Sequence, residues 1–269
     1  MVPVNCRYMF DTHCHLTFDC FDGRIPQLLS DAAAAGVHGC ITVSTTTGDL
    51  DQILALVDEH PQVWCSSGVH PLYSDTPIDW EAMRKAGEHP RCLAWGELGL
   101  DNHYKNPAKS QQLDVLQEQL ERIEQWTQEG LSKPIIIHCR EAYDELLPIL
   151  EASSLPNDRY VFHCFTGDSS EIKKVLEFGA WVSFTGIVTF KNAAKVAEAS
   201  DLVPIDRLMV ETDSPFLAPE PHRTVRPNEP QYVPYVARFL AERRGMKFEE
   251  FETIMDENAQ RFFGFTPEG

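Results

Sequence analysis

The chain has no run of apolar residues long enough to cross a bilayer. Met1 to Asn5 carry no basic segment leading into an apolar one, so a secretory leader is not expected. Basic residues are scarce: 23 Lys and Arg stand against 41 Asp and Glu, giving a net charge of −18. That balance excludes a protein that coats nucleic acid through a broad basic surface, although bound metal ions can supply positive charge locally. None of the eight cysteines belongs to a C-x-x-C pair. With no leader, they are expected to be reduced, buried thiols in a cytoplasmic protein, not a disulfide framework. Linkers and low-complexity stretches are also missing, so residues 1–269 are expected to form one domain.

What is present is a regular alternation of strand-like and helix-like segments. Eight strand candidates can be read: the run ending at Tyr8-Met9-Phe10, then 37–43, 63–69, 92–95, 135–137, 160–162, 181–184 and 207–210. Helices are expected between them, closing with two near 232–244 and 248–263. The longest should start at Asn106 as N-cap with Pro107 in its first position and stop at Gly130. Its Leu113, Leu116, Leu120 and Ile123 form an apolar seam at helical spacing. Repeated βα units of this total length predict an α/β TIM (β/α)8 barrel with two closing C-terminal helices. A doubly wound open sheet is the competitor. The barrel is preferred because polar residues recur at the carboxyl ends of six strands, and only a barrel brings all strand ends to one mouth.

Those polar residues begin with Asp11-Thr12-His13-Cys14-His15. Side chains two apart on a strand leave the same face, so His13 and His15 can aim both imidazoles at one point. Later strands end at His70, Glu97, His138, His163, Glu211 and Asp213. A lone strand-end histidine is usually incidental. Several brought together by one barrel are not. Four imidazoles (His13, His15, His138, His163) and two carboxylates (Glu97, Asp213) exceed the needs of one tetrahedral ion with an open position. They suit two ions roughly 3.5–4 Å apart with a bridging carboxylate and a bridging hydroxide. Glu97 is the natural bridge, and Asp213 closes the ring near His13 and His15. Asp213 is also the candidate to move the proton of the attacking water; its bland alternative is the N-cap of a helix after strand eight. Arg140, Arg223 and Arg226 can contact phosphate, or can serve as surface salt-bridge residues. Cys14, Cys139 and Cys164 adjoin motif histidines and should point outward behind the site. His38, His60, His89 and His103 are read as bystanders.

The segments FDTHCHL (10–16), GVHP (68–71), GELGLD (96–101), PIIIHCREA (134–142), FHCFTG (162–167), ETDSPFLAP (211–219) and ENAQRFFG (257–264) resemble the TatD-like metal-dependent deoxyribonucleases of the amidohydrolase superfamily. They occur in that family's order and span nearly the whole chain. The resemblance implies a TIM barrel, a first metal site of His13, His15, Glu97 and Asp213, and a second of Glu97, His138 and His163. It also places His70 and Glu211 in the active site. Three features depart from the pattern: Leu72 stands where a second histidine is frequent, Asn102 stands where tyrosine is common, and the loop 222–230 lacks the usual glycine. All three fall on expected mouth loops, where substrate preference is decided.

The expected protein is thus a hydrolase using two divalent ions (zinc, manganese or magnesium), acting as a 3′–5′ exonuclease on single-stranded or frayed DNA. DNA ends or another phosphoester are the expected partners, with no membrane and no obligate protein partner. Two other readings stay open. The same site can act on an ester or amide, such as a D-aminoacyl-tRNA linkage or a small cyclic amide, or the barrel can be a non-catalytic, metal-bound binding module.

Overall fold

The computed structural model describes residues 9–266; the Met1–Asn5 segment read for a leader and Tyr8 of the first strand candidate lie outside the described residues. Eight strands, β1 (Met9–Cys14), β2 (Val37–Thr42), β3 (Val63–Ser67), β4 (Cys92–Asp101), β5 (Ile135–Arg140), β6 (Tyr160–Phe162), β7 (Trp181–Phe184) and β8 (Leu208–Val210), pair in sequence order, every pair parallel. The sheet returns on itself. Cys14 bridges Ser214, the His15 amide donates to the Ser214 carbonyl at 2.8 Å, and the Asp213 amide donates to the His13 carbonyl at 2.9 Å. Sequential order with closure is a barrel and excludes the open sheet. Among the described residues, no helix is long and apolar enough to cross a membrane.

Helices α1 (Ile25–Ala34), α2 (Leu50–Glu59), α3 (Trp80–Glu88), α4 (Lys109–Gln128), α5 (Tyr143–Ala152), α6 (Ser169–Phe178) and α7 (Ala194–Leu202) follow β1 to β7, and α8 (Val233–Arg243) and α9 (Phe248–Phe263) close the chain. Helix α4 starts at Lys109, not at the expected Asn106 cap. The reason lies in Gln112, whose amide donates to the carbonyls of Pro107 and Asp101 while its oxygen accepts the Asp101 amide. Residues before Lys109 are thereby held to the end of β4 and cannot wind into the helix. The apolar seam of α4 holds, with Leu116, Leu120 and Ile123 buried, and it includes a second buried amide. Gln119 accepts from the Val69 amide and donates to the Val69 carbonyl. One helix thus clamps the ends of β3 and β4, one residue before His70 and at Asp101.

The bottom of the barrel is filled by aromatic rings. Phe10 meets Trp64 and Phe265 with ring centroids 5.4 and 4.5 Å apart, and Trp181 meets Phe262 at 5.2 Å. Burying each such side chain contributes about 1.5–3 kcal/mol. Helix α9 is keyed to the strands by polar bonds. Asp256 accepts the Phe10 amide at 3.0 Å, and Asn258 donates to the carbonyls of Ile205 and Leu208 at 2.7 Å each. The ENAQRFFG segment therefore seals the closed end and takes no part in the mouth.

Candidate metal centre

Two of the strands that deliver site residues are irregular where they do so. In β1 the register with β2 shifts between Asp11 and Cys14. Phe10 and His13, three residues apart, can then both face the barrel interior, against strict alternation. In β4, Trp95 pairs with Ile135 and Leu98 with Ile137, so two residues, Gly96 and Glu97, oppose one. This bulge turns Glu97 inward and carries the strand on to Asp101, six residues past the expected end at Trp95. It needs glycine on both sides. Gly96 has φ +114°, and a Cβ there would lie 2.5 Å from the Ile136 carbonyl oxygen; Gly99 has φ +149°, and its Cβ would collide with the His138 carbonyl.

Glu97 sits at the centre with its two oxygens facing different partners. Oε2 lies 3.3 Å from His13 Nε2 and 4.0 Å from His15 Nε2. Oε1 lies 2.5 Å from His163 Nε2, 2.7 Å from His138 Nδ1 and 3.4 Å from His70 Nε2. Asp213 Oδ1 lies 3.4 Å from His15 Nε2 and 3.7 Å from His13 Nε2. Three groups of potential ligand atoms, His13/His15/Asp213, His13/His163/Glu211 and His70/Glu97/His138, each fall within 4.8 Å of one another.

The partners of the outer ring nitrogens decide which nitrogen carries the lone pair. His15 Nδ1 lies 3.1 Å from the Val43 carbonyl, which can only accept, so Nδ1 holds the proton and Nε2 is free to ligate. His138 Nε2 lies 3.0 Å from Asp101 Oδ2, leaving Nδ1 as the inward lone pair. His163 Nδ1 lies 3.4 Å from Glu211 Oε1, with Nε2 turned to Glu97. For His15 and His138, a far nitrogen held by a carbonyl or carboxylate is the arrangement proteins use for metal ligation; His163 Nδ1 makes only a charge contact with Glu211, and His13 Nδ1 has no hydrogen-bond partner. The inward nitrogens, His13 and His15 Nε2, lie 3.3 Å apart, close enough for both to reach one ion. The donor set fits divalent ions. His70 differs. Its Nδ1 accepts the Leu72 amide at 3.0 Å, so its Nε2 is the N–H, a hydrogen-bond donor aimed into the site.

Charge does not sort these groups in the same way: burial lowers His13 as it lowers His70, while neighbouring carboxylates raise His15, His138 and His163 against their burial. Burial would raise the Glu97 carboxyl, but His163, His70 and His13 around it hold it well below the usual range. Burial likewise opposes charge on His163, yet the Glu97 and Glu211 carboxylates raise it well above an ordinary imidazole. Asp213 is held low by His15 and His13 against its burial, and so stays anionic. Burial pulls His70 down to about 3, so it stays neutral.

His15, His70, Glu97, His138, His163 and Asp213 form the floor of a cavity of about 620 Å³ at the carboxyl ends of the strands, with Arg140 in its wall and His13 buried beneath. Other expected site residues are elsewhere. Glu211 is behind His163: Oε2 accepts from Ser183 Oγ at 2.6 Å and Thr12 Oγ1 at 3.2 Å, and Oε1 accepts the Cys164 amide at 2.5 Å. It supports a site histidine and does not line the cavity. Arg223 lies over the Phe190 ring at 4.1 Å, and Arg226 donates to the carbonyls of Arg223 and Val225; neither lines the cavity. Asp213 caps no helix, since no helical turn follows β8 until Pro230. Cys14 packs into an apolar cluster outside the barrel as expected, while Cys139 packs in the core and also borders the cavity. Cys164 does not point outward either: β6 ends at Phe162, and a left-handed backbone at Cys164 (φ +45°) breaks the alternation and turns it to the cavity wall.

Three supporting residues carry no role in the sequence reading. Asp101 holds His138 and also accepts the amides of His103 and Tyr104; its signal was its place four residues after Glu97. Asp11 accepts the Thr212 amide at 2.8 Å and hydroxyl at 2.5 Å, tying β1 to the turn that carries Asp213, and burial pushes its carboxyl up to about 8. Asn228, fully buried, donates to the carbonyls of Thr212 and Phe216 and fixes the same turn from the other side.

An eight-stranded parallel barrel with a buried histidine–carboxylate cluster at its C-terminal mouth defines a metal-dependent hydrolase of the amidohydrolase-like TIM-barrel fold. Residues 10–264 match the TatD related DNase family, and the chain belongs to it. It is 38% identical over 259 residues to the uncharacterized metal-dependent hydrolase YcfH of Escherichia coli K12, covering 95% of this chain and 96% of that one. It is 30% identical over 267 residues to the 3′-5′ ssDNA/RNA exonuclease TatD of Klebsiella pneumoniae (strain 342), covering 97% and 100%. The crystal structure of YjjV, a TatD homologue from E. coli K12, superposes with a TM-score of 0.88 at 28% identity, covering 97% of this chain and 99% of that one.

Proposed function

We propose that residues 1–269 work as one cytoplasmic hydrolase domain that removes nucleotides from the 3′ ends of single-stranded or frayed DNA. The observation that carries this reading is Glu97, whose oxygens face two separate sets of imidazoles across the floor of an open cavity. His13, His15, Glu97 and Asp213 would hold one divalent ion, and Glu97, His138 and His163 the other; zinc, manganese and magnesium all suit nitrogen and oxygen donors. Such ions, when bound, supply Lewis acidity toward a phosphoryl oxygen and make water a nucleophile near neutral pH.

The chain's own residues do the rest. Asp213 stays anionic beside His15 and His13, so it accepts the proton released by the attacking water and returns it to the leaving oxygen. The neutral His70 presents an N–H to a phosphoryl oxygen, and Arg140 adds a cation on the cavity wall. A mouth closed below by the aromatic floor takes a chain terminus more readily than the middle of a rigid duplex. A base drawn from within a duplex must be unstacked at about a few kcal/mol. The relative in Klebsiella, described as a 3′-5′ ssDNA/RNA exonuclease, supports the same substrate and polarity.

The test is a gel of end-labelled single strands, blunt duplex and closed circular single strands with magnesium or manganese added. Progressive shortening of the linear single strand from its 3′ end is expected, with the circle left intact. Rapid cutting of the circle without shortening of linear strands would overturn end-trimming.

A further inference from the structure

Five large hydrophobic residues stand out as exposed among the described residues, and three of them, Tyr73 (39% exposed), Tyr104 (51%) and Phe216 (49%), line the one cavity that holds the metal-site candidates. Rings exposed on a charged, acidic molecule are normally scattered; here they cluster at the mouth. They come from different strand-end loops: Tyr73 after β3, Tyr104 after β4 and Phe216 after β8, next to Phe18 after β1. Around the barrel, β2 separates the Phe18/Phe216 side from the Tyr73/Tyr104 side in one direction and β5 to β7 in the other.

Each ring is braced against the floor. Phe18 stacks on His15 with centroids 4.9 Å apart and meets Phe216 edge-on at 5.9 Å. Tyr73 leans edge-on against His70 at 6.1 Å. The Tyr104 amide donates to Asp101, the carboxylate that holds His138, and the Arg140 guanidinium lies 5.3 Å from the Tyr104 ring centroid. These contacts hold the rings at the rim, where Tyr73, Tyr104 and Phe216 stay exposed and Phe18 half-buried. Two flat apolar platforms on either side of a polar, metal-type floor match a ligand with two flat groups joined by an anionic link.

We propose that this rim stacks the two bases flanking the scissile phosphodiester, one on the Phe18/Phe216 side and one on the Tyr73/Tyr104 side, so that the minimal substrate is a dinucleotide end. The proposal rests on the nuclease reading above and extends it: base faces, not base edges or a basic track, supply the affinity. That resolves how a chain with net charge −18 holds a polyanion. Stacking on aromatic rings is tolerant of base identity, and each base contributes from about fivefold to about 150-fold in affinity.

The experiment compares two single-stranded oligonucleotides that differ only in their last two 3′ nucleotides, normal in one and abasic in the other. Binding is read by fluorescence anisotropy with a 5′ label and phosphorothioate ends that resist hydrolysis; cleavage is read as kcat/KM on the phosphodiester forms. The parent should prefer the base-bearing end at least about fivefold in binding, and Phe216→Leu and Tyr104→Leu should each shrink that ratio. Equal binding of both ends, or a preference that neither variant changes, overturns the stacking rim. So does stronger competition by an aromatic dipeptide amide than by a dinucleotide, which would assign the rim to peptide side chains. Cleavage with no base preference leaves the nuclease reading standing and the rim refuted. Base-dependent binding that the variants weaken, with no phosphodiester cut under any added metal, leaves the rim standing and the nuclease reading refuted.

Discussion

Replacing Glu97 by glutamine takes one negative charge from the middle of the site while keeping the side-chain shape. The residue is 1% exposed, with Oε1 at 2.5 Å from His163 and Oε2 at 3.3 Å from His13. Two unit charges about 4 Å apart interact by about 4 kcal/mol at an effective dielectric of about 20. At about 1.4 kcal/mol per decade, losing the charge weakens either proposed ion by on the order of 10³-fold, more for a dication. Parent and variant are equilibrated at a metal concentration that fills the parent, then assayed for bound metal by mass spectrometry, for turnover of single-stranded DNA and for fold by circular dichroism. Glu97→Gln should retain less than one ion per chain and lose at least about 10³-fold in turnover, with secondary structure intact because the aromatic floor and the α4 seam are untouched. A variant that holds two ions and turns over like the parent would refute the shared-ligand assignment.

Asp213→Asn keeps one oxygen near His15 but cannot accept a proton, so turnover should fall further than metal content; parallel metal analysis and kinetics check this, and near-parent turnover would require another base. Asp101→Asn removes the anion that holds His138 Nε2, and the ion proposed at His138 should bind about 10- to 100-fold more weakly in a metal titration, with the other ion less affected. Asp256 is pushed up to about 8 by burial, above the ordinary carboxyl value it has when unfolded. The folded state therefore binds the extra proton, and this stabilisation is full below about pH 4 and is lost as pH rises toward about 8. Asp256→Asn keeps an acceptor for the Phe10 amide without titrating, so its Tm relative to the parent should climb between pH 5 and pH 9; a difference independent of pH would contradict the assignment.

Much of the barrel was legible because βα alternation is a local pattern. Strands end in polar residues, helices carry an apolar face, and eight repeats leave few topologies to choose from. The misreadings fall where distant groups override local pattern. Strand β4 reads as ending at Trp95 because Gly96 looks like punctuation, yet at φ +114° that glycine makes the bulge that aims Glu97. Gln112 and Gln119 carry no role in the reading of the α4 seam, yet both are buried. Their partners, Asp101 and Val69, lie 11 and 50 residues away, and no window of sequence shows that a buried amide will be satisfied there.

The side chains of His13, His15, His138, His163, Glu97 and Asp213 lie together at the mouth end of the barrel. Which carboxylate faces the cavity and which stands behind a histidine was beyond the sequence. Glu211 and Asp213 are two apart at the end of one strand, and regular alternation would point both the same way. Strand β8 stops at Val210, however, and Asp213 adopts φ +53°, so parity no longer applies beyond the strand. The separation is completed by residues from other parts of the chain. Ser183, Thr12 and the Cys164 amide occupy the oxygens of Glu211, while Asp11 and Asn228 grip the turn that lifts Asp213 into the mouth. A carboxylate whose oxygens are already engaged by three donors has little capacity left for a substrate. One held by its backbone, with one oxygen turned to two imidazoles, is free to bind an ion and move a proton. The division of labour between these two acids is therefore set by the donors around them, and their spacing in the sequence carries no trace of it.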